Sequence, residues 1–348
     1  MLTKRQSDVL RMIVQTYTST GTPVGSKYLK DAGIKASSAT IRNDMSALEE
    51  MGLLRKNHSS SGRIPSMLGY RYYVDHLLQP ADVPLAEKNY ISSTLDHDFH
   101  EINDIIESSA KILADLTKYT AFSLGPEMNN RRLTGFRIIA LNDHQIIAVV
   151  VTDKGNVESR VYMIPEGVTS EDLKKMVQLI NERLVGLDLL TVYHKLRTEI
   201  PLILNRYFQQ PNGMAKLFDT FFGDVFDNRS IYVSGKVNLL DFHFNQIPQD
   251  LNQFHSVYSF MENPQALIDL FDDSEGVPAV DIKIGSEIGN KLLQDMSMIT
   301  AAYHIKGHGQ GLIALLGPTN MPYSKIYGLL NVFREELGQK LSDYYQAL

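Results

Sequence analysis

The sequence contains no cysteine, which removes disulfide frameworks, thiolate nucleophiles and thiolate metal sites from consideration. It also lacks any run near the roughly 18 uninterrupted apolar residues of a membrane-spanning helix. The opening MLTKRQSDVL has none of the apolar centre of a secretion signal. The expected compartment is the cytoplasm, and no membrane partner is expected. A surplus of positive charge is missing too. With a formal net charge of -6, overall composition gives no reason to expect nucleic acid. What remains is ordinary soluble composition, 43% hydrophobic and 21% charged over 348 residues, enough for roughly two or three domains.

The charge is unevenly spread. Residues 1–80 carry eleven Lys or Arg against six Asp or Glu, a surplus of five, which leaves -11 for the remainder. A small basic head on an acidic body suggests a polyanion-binding module tethered to a part with another task.

Within the head, TKRQSDVLRMIVQTYTSTG predicts a helix with Thr3 as N-cap, Val9, Leu10, Ile13, Val14 and Tyr17 at helical spacing, and a stop near Gly21. GTPVG is a turn. SKYLKDAG predicts a short second helix with Tyr28 and Leu29 inward and Gly33 as its stop. Ser37 or Ser38 then caps a third helix that runs to about Met51 and stops at Gly52. Three short helices joined by tight turns make a helix-turn-helix arrangement. On the third helix Ile41, Met45 and Leu48 share one side, which must face a core, while Ala39, Arg42, Asn43, Ser46 and Glu50 share the other. Small and polar residues at the front of an exposed helix face suit the part of a recognition helix that meets base edges in the major groove. Arg42 can pair bidentately with guanine and Asn43 with adenine, while Ser37, Ser38, Thr40 and the helix N-terminus can hold phosphate. A merely solvated helix face would carry similar residues.

The following GLLRKNHSSSGRIPSMLGYRYYVDHLL suits a two-stranded hairpin with a basic, serine-rich tip. Such a wing places Arg63 as a charge reaching into the minor groove, with Lys56, His58 and Ser60 against phosphates. An exposed loop is its alternative reading. Helix, helix, recognition-like helix and basic hairpin in that order favour the winged helix.

Three segments, VLRMIVQTYTSTGTPVGSKYL, SSATIRNDMSALEEMGLL and HSSSGRIPSMLGYRYYVDHLL, resemble the N-terminal region of the HrcA family of heat-inducible transcription repressors of bacteria. The likeness is strongest over residues 1–78. A later segment, GPTNMPYSKI, agrees with it before a C-terminal helix, and the middle of the chain resembles the family more loosely.

In the body, residues 85–119 are expected to be helical, with Ile102, Ile105, Ile106, Ser109, Ile112, Leu113 and Leu116 forming an apolar stripe for core packing or for a dimer seam. FRIIALNDHQIIAVVVTDKGNVESRVYMI alternates as a three-stranded meander, and VDIKIGSE and MSMITAAYHIKGHGQGLIALLGP supply further strands before a helix from about Ser324. Strands at both ends with helices outside predict an α+β domain built from two separated segments. The helical stretch between them reads as an insertion, and its apolar residues from Leu189 to Phe226 are numerous enough for some to lie between subunits.

The resemblance implies an α+β multidomain fold: a winged helix-turn-helix, then a GAF-like α/β sheet domain interrupted by an inserted dimerisation domain. The expected bounds are 1–80 for the head, 81–164 for the linker helix and first sheet segment, 165–240 for the insert and 241–348 for the second sheet segment. The resemblance further implies a homodimer on an inverted-repeat operator in double-stranded DNA upstream of chaperone operons, with activity maintained by the chaperonin GroEL.

Neither catalysis nor metal binding is expected. His304 and His308 lie beside glycines that suit a hairpin turn, no helix follows to make a phosphate loop, and no carboxylate stands nearby in sequence. No cofactor is expected. The alternative function is a winged-helix regulator that senses a small molecule in its sheet domain, although no convergent polar cluster selects a ligand. A pure scaffold would leave Arg42, Asn43 and the wing occurring together without an account.

Overall fold

The structure is a computed structural model that describes residues 2–56, 62–96, 99, 101–125, 132–153, 157–188, 191–192, 195, 198–200, 203, 231–239, 251–263, 266–267, 270–271, 279–306 and 309–347. One compact unit comprises 1–125, 231–306 and 310–348, and a second is built on 126–230.

The head follows its local signals. Helix α1 (Lys4–Thr20) starts at a capping box, in which Thr3 Oγ1 accepts from the Gln6 amide and Gln6 Oε1 accepts from the Thr3 amide, and it ends at Gly21. The φ of 66° at Gly21 lies in the left-handed region where a glycine costs least. Helix α2 (Ser26–Asp31) buries Leu29 but leaves Tyr28 52% exposed, so Tyr28 does not point inward as expected. With fewer than two turns, this helix has room to bury only a narrow stripe. Ser37 caps helix α3 (Ser38–Glu50) by accepting from the Thr40 amide at 3.1 Å. Strands β1 (Leu54–Lys56) and β2 (Arg63–Pro65) pair antiparallel with Lys56 opposite Arg63. Val24 exchanges two backbone hydrogen bonds with Arg63, both 2.9 Å, which ties the hairpin back to the turn before α2. Helix α4 (Met67–His76) leaves the hairpin under a Ser66 cap.

Helices α5 (Leu85–Leu95) and α6 (Ile102–Thr117) take the place of the single helical stretch expected over 85–119. Ile105, Ile106, Ser109, Ile112 and Leu113 of α6 are buried inside this unit. These five positions of the stripe are core. Strand β3 (Thr120–Leu124) follows. The inserted unit holds β4 (Leu133–Asn142), β5 (Gln145–Thr152), β6 (Val157–Met163) and α7 (Ser170–Leu184). The first unit resumes with β7 (Ile231–Ser234), α8 (Leu251–Met261), β8 (Val280–Ile284), β9 (Met296–Ile305), β10 (Gly309–Pro318) and α9 (Tyr323–Ala347).

The strand order β7-β3-β10-β9-β8 makes a five-stranded sheet, whereas β4-β5-β6 is a sheet of its own. The meander was expected to join the downstream strands, and it does not. Instead the chain leaves the larger sheet after β3, ahead of the expected bound at 165, and returns at β7, ahead of 240. Leu124 and Ile231 are register partners in the β3 and β7 pair, so the insert departs and re-enters at one point on the sheet. On one face of the sheet Ala121, Tyr303, Ile313 and Leu315 pack in the cluster that also holds Leu330 and Phe333 of α9. On the other, Phe122, Met298, Leu312 and Ala314 pack with Val257 and Met261 of α8.

Helix α4 fastens the head to this sheet. The Tyr70 ring lies 5.8 Å from that of Tyr323, and Arg71 donates to the Ile282 carbonyl at 2.7 Å and to Glu287 at 2.9 Å. Burial works against the Arg71 charge, yet its bonds to Asp75 and Glu287 outweigh that and hold its pKa above the usual arginine value.

In the inserted unit, Phe136, Ile146, Ala148 and Val150 pack against Leu173, Met176, Ile180 and Leu184 of α7. Asn181 bridges α7 to β4 by accepting from the Phe136 amide at 3.1 Å and donating to its carbonyl at 2.8 Å. The opposite sheet face leaves Ile139 53%, Val161 56%, Val157 58% and Met163 64% exposed. Of the apolar run from Leu189 to Phe226, all but a few residues lie outside the described set.

Candidate nucleic-acid interface

Helix α3 is held on both flanks. On one flank, buried Asp44 takes Arg5 of α1 at 2.6 Å. That hydrogen bond, followed by the charge of Asp44, raises the pKa of the Arg5 guanidinium above its ordinary value. On the other flank Glu49 takes Arg63 of β2 at 2.8 Å and Lys56 at 3.8 Å. Ile41, Met45 and Leu48 anchor the inner side. Between the flanks Ala39, Arg42, Asn43 and Glu50 are exposed, with Ser38, Thr40 and Ser46 half-buried and Ser37 exposed but engaged as the cap. A helix tied at both sides cannot roll, so its polar stripe keeps one direction.

The sequence expectation fails at Arg63. Its residue is only 9% exposed, its guanidinium is committed to Glu49, and its backbone is bonded to Val24. It belongs to the base of the wing, because it opens β2 opposite Lys56 of β1. His58 and Ser60, expected at phosphates, lie outside the described residues. Lys56 stays exposed on β1.

Sequence reasoning passed over other charges. Among the described residues of the head, Lys4, Lys27, Lys30, Lys35, Arg42 and Arg55 are exposed and form no ion pair. The ion pairs of Arg5, Arg11, Arg63 and Arg71 consume most of the head's carboxylates, so the unpaired surplus is concentrated at these positions. The signal was present in the charge count, but partner assignment needs the fold.

A helix-turn-helix, an antiparallel hairpin and unpaired cations around an exposed polar helix face define a winged-helix DNA-binding protein. The profile described as "Winged helix-turn-helix transcription repressor, HrcA DNA-binding" matches residues 1–73, and that described as "HrcA protein C terminal domain" matches 103–327. The chain is 61% identical to the heat-inducible transcription repressor HrcA of Enterococcus faecalis, covering 100% of this chain and 99% of that one. It is 54% identical to the protein of the same name from Tetragenococcus halophilus, again over 100% of this chain and 99% of the relative. A crystal structure described as that of a hypothetical protein shares the fold at a TM-score of 0.57, with 21% identity and 99% of each chain covered. The chain belongs to the HrcA family of DNA-binding transcription repressors, which are not enzymes. Among the described residues no helix is long and apolar enough to cross a membrane.

Proposed function

We propose that this protein is a cytoplasmic homodimer that represses heat-shock chaperone operons by placing one α3 in each half of an inverted-repeat operator, and that the chaperonin GroEL maintains its active fold. The observation that carries the DNA half of this reading is the exposed Arg42 and Asn43 on a helix tied at both flanks. The larger sheet unit is read as GAF-like, and the inserted unit as the dimeriser. In support of the dimer, the β4-β5-β6 face carries an apolar row, Ile139, Ile147 and Val161, on adjacent register positions with Ile139 and Val161 more than half exposed. A contiguous apolar patch of that kind marks an association surface. The chaperonin enters through the family resemblance and not through any contact on this chain.

Replacing Arg42 or Asn43 with Ala is expected to weaken operator binding by about 1–3 kcal/mol and random-sequence binding by much less. Titration of both duplexes by fluorescence anisotropy measures it, and equal losses on the two would turn these residues into phosphate contacts. The wing gives a different signature. Lys56→Ala removes one phosphate contact per head, so the slope of log K against log salt should fall by about 0.9 for each, on any sequence. An unchanged slope would take β1 off the DNA.

A further inference from the structure

A cleft of about 620 Å³ opens in the head between α1 and the turn that leads into α3, lined among others by Lys4, Arg5, Asp8, Arg11, Gly33 and Lys35. Its two nearby carboxylates are already taken, Asp44 by Arg5 at 2.6 Å and Asp8 by Arg11 at 2.9 Å. Four cations against two carboxylates leave an excess of positive charge, carried by exposed Lys4 and Lys35 with no ion pair.

We propose that this cleft is a second phosphate-binding surface, which grips the DNA strand on the side of α3 away from the wing. The inference rests on the reading of α3 as the recognition helix and extends its footprint. An α-helix with its side chains is about 10–12 Å across and the major groove about 12 Å wide, so a helix that fills the groove has a sugar-phosphate strand against each flank. The Glu49 flank meets its strand with Lys56 and the wing. Asp44 lies on the opposite side of the exposed stripe by helical phase, and Arg5, bonded to it, is part of the cleft. Lys35 stands two residues before the Ser37 cap, at the end of α3 that enters the groove deepest. Unpaired cations there face the backbone that the wing cannot reach, and phosphate oxygens supply the acceptors they lack.

The test uses the full-length protein with Lys4 and Lys35 both changed to Ala, two exposed positions whose loss leaves the core untouched. Operator and random-sequence duplexes are titrated across salt beside the unaltered protein and Lys56→Ala. The expected result is a slope shallower by about 0.9 for each lost phosphate contact, up to four contacts in a dimer, with equal affinity loss on both duplexes. A slope equal to that of the unaltered protein overturns the proposal, and so does a loss confined to the operator, since phosphates carry no sequence. Failure of the unaltered protein to bind the operator would strike instead at the reading of α3.

Discussion

Val161→Asp is expected to turn the protein into a monomer in sedimentation and to weaken operator binding by about 100-fold or more in gel-shift titration. Val161 is 56% exposed in the single chain, and its register partner on β5 is Ile147, which pairs in turn with Ile139 of β4. A carboxylate at the centre of an apolar contact between two copies would be desolvated with no partner, a cost large enough to separate them. Within one chain the same carboxylate points to water, so the monomer should keep its strand content by circular dichroism while melting lower by the stabilisation that association supplied. Each separated head would keep its own contacts but lose the second half-site, whose gain comes only from linkage. A dimeric variant with unaltered affinity would move the interface away from this sheet face.

The second large effect concerns Gly69, on the first turn of α4. A Cβ placed there would lie 2.0 Å from the Leu53 carbonyl oxygen, and that oxygen is fixed because it accepts from the Ser66 amide at 3.1 Å. Both colliding groups sit on backbone, so no rotamer change relieves them. Gly69→Ala should therefore cost the head about 3 kcal/mol of stability and displace the entry of the wing from α4. Hydrogen exchange at α4 and β1 measures the loss. Gly135→Ala serves as the comparison, since nothing lies within 4 Å of its added carbon. Equal protection in the two variants would mean that α4 can shift at little cost.

How far the sequence reached depends on which interactions are local. The limits of α1 and α3 were readable because Thr3, Gly21, Ser37 and Gly52 act within a turn of the helix ends they set. The outward stripe of α3 followed from periodicity alone. Arg63 was misplaced because a positive charge in a serine-rich segment looks solvated until Glu49, fourteen residues earlier, is seen to hold it. Strands β3 and β7 escaped notice for another reason. Thr120 to Leu124 are buried at every position, so they show no alternation, and their partners lie far along the chain. Alternation revealed the meander as strands, but it carries no information about which sheet they enter.

The pairing of Leu124 with Ile231 also bears on the order in which the molecule assembles. These two residues are separated by more than a hundred others, and in an unstructured chain closing such a loop is an entropic barrier that slows the search. Prior collapse of the intervening segment draws its ends together and shortens the effective loop. The last edge of the five-stranded sheet is therefore completed after the insert has condensed. Until then the edge of β3 that β7 will cover has an open row of backbone donors and acceptors, the kind of transient surface that leads to aggregation.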